Sequence, residues 1–89
     1  MKTKAIMSKK EKLIARLLTF PKDFTYNEMK TLLGYLGFEE DNKGATSGPR
    51  VQFIKDEHTI LLHKPHSGNQ LKPYQVKNVV IELRNLKLI

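Results

Sequence analysis

The sequence predicts an α+β domain in which helices pack on a three-stranded antiparallel sheet. Apolar residues recur with helical spacing in two segments near the N terminus and in one at the C terminus. Between these segments, apolar and polar residues alternate in short runs, as they do in strands that bury one face. Because 89 residues suffice for only one hydrophobic core, a single domain over residues 1–89 is expected.

The first two predicted helices each begin with a capping box, a Ser or Thr followed three residues later by Glu. The boxes are Ser8 with Glu11 and Thr25 with Glu28. The first helix is predicted over residues 8–20, because Pro21 cannot continue it. The second is predicted to stop at Gly37, which suits a left-handed C-terminal residue.

Strands and a final helix follow. The strands are predicted at residues 38–41, 50–55 and 59–63, with a tight connection at 56–58. The last helix opens with Pro73, whose missing N–H costs nothing at a first helical position. Its apolar stripe consists of Val76, Val79, Val80 and Leu83. Three strands with one covered face leave the other sheet face open to a partner.

The net charge is +7 and is unevenly distributed. Residues 1–22 carry seven Lys or Arg against one acid, residues 23–48 carry two against five, and residues 49–89 carry seven against three. This pattern favours a polyanionic partner such as nucleic acid, because Lys and Arg that neutralise phosphates release counterions. The alternative is a solvated lysine-rich surface.

Several classes of protein are disfavoured by composition. The chain has no cysteine, which excludes a disulfide framework and a thiolate zinc site and is consistent with a reducing cytoplasm. No apolar run is long enough to span a membrane, and no signal peptide is predicted. The acidic runs at 39–41 and 56–57 lack the spacing of a metal motif, so neither a metal nor another cofactor is expected.

The stretch HKPHSGNQLKPYQVKNVV at residues 63–80, preceded by TLLGYLGFEE at 31–40, resembles the HicA family of bacterial toxins. The resemblance covers residues 26–89 and is most specific at His66, Gly68 and the run 71–73. It implies a fold like that of a double-stranded-RNA-binding domain. It also implies metal-independent cleavage of messenger RNA in the cytoplasm and silencing by a HicB-type antitoxin. The family-like core is predicted over residues 25–89, with the helix at 8–20 added in front.

The sequence lacks the hallmark motif of the HicA family. The family has a Gly-Ser-His triplet before its second strand, and the histidine of that triplet serves the chemistry. The corresponding stretch here is TSGPRVQF, residues 46–53, in which Arg50 takes the place of the histidine. Three hypotheses follow: an endoribonuclease with a reorganised site, a non-catalytic RNA-binding or antitoxin-binding module, and a purely structural interaction protein.

The candidate site residues are two histidines and three cations. His66 and His63 are the candidate catalytic acid and base, because imidazole titrates near neutral pH. Arg50, Lys64 and Lys72 are candidate RNA-binding residues, and Arg50 cannot be a general base because it stays protonated. The alternatives are a structural loop position for His66 and ordinary strand positions for His63 and Arg50.

Overall fold

The computed structural model describes residues 8–41, 50–65 and 68–89 of the chain. In chain order they form α1 (Lys9–Leu17), α2 (Tyr26–Tyr35), β1 (Glu39–Asp41), β2 (Arg50–Lys55), β3 (His58–His63) and α3 (Pro73–Asn85). The predicted α+β class is confirmed: three antiparallel strands follow two helices in the sequence and precede a third. Within the described ranges, none of the three helices has the length and apolar character needed to cross a bilayer.

The strands form one antiparallel sheet in the order β1-β2-β3. Lys55 pairs with His58, so β3 starts one residue earlier than the sequence predicts and the connection contains only Asp56 and Glu57. The backbone of Asp56 is left-handed, with φ +54°, a conformation that Asp tolerates better than most residues. The hairpin register therefore fixes which side chains of β2 and β3 share a face.

The hydrophobic core lies between one sheet face and the helices. The inner sheet face contributes Val51, Phe53, Ile60 and Leu62, all buried. Helices α2 and α3 contribute Met29, Leu32, Leu33, Val76, Val79, Val80 and Leu83. The opposite face of β2 and β3 consists of exposed or half-buried residues, so no described element covers it. The prediction of one covered and one open sheet face is thereby confirmed.

Helix α1 is attached to the N-terminal end of α2 through the Arg16 side chain. The Nε and Nη2 atoms of Arg16 donate hydrogen bonds to the two carboxylate oxygens of Glu28, at 2.9 and 3.2 Å. Glu28 Oε1 also accepts the N–H of Thr25 at 2.9 Å, which completes the capping box of α2. The hydrogen bond from Arg16 is the main reason that the pKa of Glu28 is lowered. One carboxylate thus caps α2 and holds α1.

The helix ends differ in one respect from the sequence prediction. Both capping boxes are present, and α2 ends as predicted, with Gly37 at φ +99°. The N–H of Phe38 reaches the carbonyl of Leu33, and that of Gly37 reaches Gly34, the pair of bonds typical of a Schellman motif. Helix α1, in contrast, ends at Leu17, short of Pro21, because the backbone turns left-handed at Phe20 (φ +52°).

Candidate nucleic-acid interface

Two of the predicted site residues, Arg50 and His63, are direct neighbours across the β2–β3 ladder. Arg50 begins β2 and His63 ends β3. Both lie on the open sheet face, because the next residues toward the hairpin, Val51 and Leu62, point into the core. The two-residue turn makes Lys55 and His58 a hydrogen-bonded pair. Counting along the ladder, Arg50 and His63 form a pair without mutual backbone hydrogen bonds, the type with side chains closest together.

The backbone of His63 is held by a buried glutamine of α3. Gln75 Oε1 accepts the His63 N–H at 2.8 Å, and Gln75 Nε2 donates to the His63 carbonyl at 3.3 Å. Gln75 is 7% exposed and is the buried polar residue of the helix. It therefore takes the place of a neighbouring strand at the end of β3. Sequence reasoning missed Gln75, although a polar residue next to the apolar stripe of α3 was the available signal.

Lys64 points to the other side of the sheet from His63. Its Nζ lies 5.7 Å from the centroid of the Tyr26 ring, a cation–π contact at the first residue of α2. The Tyr26 ring in turn packs on Phe53, with 6.4 Å between the ring centroids. Arg50 and His63 therefore share the open sheet face, whereas Lys64 lies on the other side of the sheet, beside Tyr26.

The hydroxyl of Tyr26 is buried and has no hydrogen-bond partner among the described residues. Burial, with a smaller contribution from the negative charge of Glu40, raises the pKa of Tyr26 to about 12. Glu40 itself pairs with Lys30 at 3.0 Å. Tyr26 is consequently neutral at physiological pH and serves as an aromatic surface for Lys64 rather than as a proton-transfer group.

The segment that leads into α3 is fixed to the segment that leads into α2. Leu71 N–H donates to the Phe24 carbonyl at 2.8 Å, and Tyr26 N–H donates to the Asn69 carbonyl at 2.7 Å. Thr25 and Gln70 form an isolated antiparallel bridge between these bonds. This short pairing determines where the loop after β3 returns to the body of the protein. It places residues 69–71 beside the first turn of α2.

Lys72 is the N-cap residue of α3 and is exposed, and its side chain makes no capping hydrogen bond. Pro73 follows at the first helical position, as the sequence predicts. His66, the other predicted catalytic histidine, lies outside the described residues. Among the described residues, no three His, Asp or Glu side chains are grouped so that they could share a metal ion.

The family model for the HicA toxin of bacterial toxin-antitoxin systems matches residues 26–88. The chain belongs to the HicA toxin family. The resemblance seen in the sequence is thereby confirmed, and with it a toxin role and a partner antitoxin protein. No curated protein and no solved structure matches the chain significantly. The likeness to a double-stranded-RNA-binding domain therefore remains a prediction.

The HicA match begins at the first residue of α2, and α1 lies ahead of it. All five described strands and helices from α2 to α3 fall within the matched residues. Arg50, which stands where the HicA triplet has its histidine, is the first residue of β2. Along the β2–β3 ladder, the histidine nearest to Arg50 is its cross-strand neighbour, His63.

Proposed function

We propose that this HicA family toxin is an endoribonuclease that binds and cleaves messenger RNA without a metal. The observation that carries the proposal is the cross-strand pair of Arg50 and His63 at one end of the open sheet face. The pair supplies a cation and a titratable ring at the place where HicA proteins have their motif histidine. A site built on two paired strands holds these groups more firmly than a loop would.

The chemistry is attack of an RNA 2′-hydroxyl on the adjacent phosphorus. A neutral imidazole removes the 2′-hydroxyl proton, the new O2′–P bond forms, and the bond from phosphorus to the 5′-oxygen breaks. An imidazolium donates a proton to the departing 5′-oxygen, which leaves a 2′,3′-cyclic phosphate and a 5′-hydroxyl. His63 and His66 are assigned these two proton transfers. The guanidinium of Arg50, with five N–H donors in a rigid plane, stabilises charge on the phosphoryl oxygens.

RNA binding in this proposal extends around the end of the sheet to Lys64 and Lys72. Lys64 is exposed and its ammonium lies over the Tyr26 ring, while Lys72 is the N-cap residue of α3, where backbone amides and the helix dipole favour a phosphate. Contacts of this kind position the RNA backbone and do not read its sequence. The overall charge of +7 adds a long-range attraction for the RNA.

The antitoxin partner is proposed to be of the HicB type and to cover the same cations. An inhibitor that places carboxylates over Arg50 and Lys72 blocks the substrate and gains electrostatic complementarity. Hydrogen exchange on the complex should then show protection at residues 50–55 or at residues 63–72. Protection confined to α1 would instead identify the added helix as the docking element.

A second candidate function is a non-catalytic RNA-binding or antitoxin-binding module. The observation that favours it is Arg50 itself, because a guanidinium stays protonated and cannot replace the proton-transfer role of the motif histidine. Both candidates keep RNA contact and the antitoxin. They differ in whether purified protein cleaves RNA.

The deciding experiment compares His63→Asn, His66→Asn and His58→Asn in an RNA cleavage assay and in a growth assay without antitoxin. His58 is the matched control, since it is exposed at the opposite end of β3. Loss of a catalytic acid or base is expected to slow cleavage about 100- to 10,000-fold, with loss of toxicity in the growth assay. A chelator should leave wild-type cleavage unchanged. Wild type that binds RNA without cutting it would refute the enzyme and support the non-catalytic candidate.

A further inference from the structure

Strand β3 forms an edge of the sheet with backbone groups that face outward. The hydrogen-bonded pairs of the hairpin are Lys55–His58, Phe53–Ile60 and Val51–Leu62, because they alternate from the two-residue turn. The N–H and C=O groups of Thr59 and Leu61 therefore point away from β2. Among the described residues, neither residue makes a backbone hydrogen bond to another element. At the next outward-facing residue, His63, Gln75 supplies the missing partners.

The two edges of the sheet differ in their protection. β1 is three residues long and entirely acidic, which discourages pairing with another strand. β3 has six residues, and none of them is Lys, Asp, Glu or Pro. An uncharged edge of this length is the kind that pairs with another chain.

The open part of the β3 edge is flanked by apolar side chains above and below the sheet. Leu61 on the open face is 43% exposed, and Ile81 on α3 is 47% exposed. A groove of about 310 Å³ runs between the strand and the helix, lined by residues 59–61 and by Asn78, Val79, Ile81 and Glu82. Its lining therefore combines the aliphatic side chains of residues 60, 61, 79 and 81 with the polar side chains of Thr59, Asn78 and Glu82.

The charges around the groove decide which partner fits it. Among the described residues that line the groove, Glu82 is the one charged residue and none is Lys or Arg. RNA and an acidic antitoxin segment have no cation to bind there, although the chain as a whole carries +7. A second uncharged strand with apolar side chains on both sides is compatible with this groove, and β3 itself is such a strand.

We propose that the β3 edge is a homodimer interface, at which β3 of two copies pair antiparallel and extend the sheet across the dimer. A two-fold axis at Ile60 brings Thr59 of one copy opposite Leu61 of the second, and the reverse. Each of these pairs exchanges both of its backbone hydrogen bonds. Leu61 on one side of the new ladder and Ile81 on the other become less exposed to solvent. The contact is limited to the short part of β3 between the hairpin turn and His63, whose backbone groups already bind Gln75. The dimer is therefore weak and reversible.

The test is sedimentation equilibrium of the purified chain over a range of concentrations, with Leu61→Lys and Tyr35→Lys as variants. Leu61 and Tyr35 are equally exposed, at 43% and 44%, but Tyr35 lies on α2 away from the edge. Leu61→Lys is expected to raise the dimer dissociation constant at least ~tenfold, equivalent to about 1.4 kcal/mol, because it places like charges beside each other across the axis. Tyr35→Lys should leave the constant unchanged.

Two further measurements need no variant. Backbone hydrogen exchange at Thr59 and Leu61 should slow as the protein concentration rises, whereas exchange at Ile60 and Leu62 is slow throughout. Added salt should strengthen the dimer, because it screens repulsion between two copies of charge +7, although it weakens RNA binding. A chain that stays monomeric at every concentration overturns the proposal. So does an edge that is protected only when antitoxin is added. Neither outcome bears on RNA cleavage.

Discussion

Replacing Gln75 with Met should destabilise the protein and release the end of β3. Met has nearly the same length and helix propensity as Gln, so α3 itself is little affected. What it removes is the pair of hydrogen bonds to the His63 backbone, one short at 2.8 Å and one long at 3.3 Å. The His63 N–H and C=O then lie at the sheet edge without a protein partner.

The magnitude follows from these two bonds. The short bond contributes about 1 kcal/mol and the long bond less, while the edge position lets water reach the freed groups and limits the penalty. We expect the free energy of unfolding to fall by roughly 1–2 kcal/mol. For a domain of this size the corresponding fall in Tm is roughly 5–15 °C. The proposed RNA cleavage should fall as well, since the His63 backbone loses the bonds that hold it to α3.

The assay is denaturant unfolding combined with hydrogen exchange at the His63 amide. Lys77→Met is the control, because it places the same side chain at an exposed position of α3. Exchange at His63 should become faster in Gln75→Met and remain unchanged in Lys77→Met. Equal stability of Gln75→Met and wild type, with unaltered exchange at His63, would refute the positioning role of Gln75.

Three other predictions concern charges. Arg16→Met should lower the free energy of unfolding by about 1 kcal/mol at neutral pH. Because the pKa of Glu28 lies below its usual 4.5 in the folded state, this difference from wild type should shrink as the solution is acidified below that value. Tyr26→Phe should leave stability near neutral pH unchanged or raise it by up to about 1 kcal/mol. Since the Tyr26 pKa rises from 10.0 to about 12 on folding, wild type should lose stability between these pH values and the Phe variant should lose less. Lys64→Ala with Lys72→Ala should reduce the magnitude of the salt slope of RNA binding by roughly one unit per phosphate contact.

Each of these predictions has a matched control within the chain. Lys12→Met tests for a general effect of losing a cation from α1, and the difference in stability between this variant and wild type should not change as Glu28 is protonated. Tyr35→Phe removes the hydroxyl of an exposed tyrosine and serves as the control for the loss of a phenol group. Lys77→Ala with Lys87→Ala removes equal charge from a different surface; a salt slope reduced equally by both double variants would exclude a specific role for Lys64 and Lys72.

The elements of the fold were predictable because their signals are local. The capping boxes at Ser8 and Thr25 fix where two helices begin, and hydrogen bonds within four residues decide the outcome. The end of α1 was not predictable from Pro21, since the left-handed turn at Phe20 depends on how the chain packs after Leu17. Likewise, the hairpin closes at His58 because register is determined over the whole β2–β3 ladder.

The spatial arrangement of the candidate site residues could not be predicted from the sequence. Arg50 and His63 are thirteen positions apart in sequence, and only the register makes them neighbours. Periodicity alone did not indicate that Lys64 stacks on Tyr26, because that contact depends on the position of α2 against the sheet end. Gln75 was missed for a similar reason: its partners are backbone atoms, which leave no trace in the sequence of β3.

The double use of the Glu28 carboxylate links the added helix to the loop that precedes α3. Arg16 of α1 and the N–H of Thr25 share this group, and the residues around Thr25 hold the chain just before Lys72. Releasing α1 should therefore loosen the first turn of α2 and, through it, the bonds that hold residues 69–71. Substitutions in α1 and in the loop should consequently be non-additive, with a coupling free energy that a double-mutant cycle can measure. A helix outside the HicA match would then tune the toxin without touching its substrate.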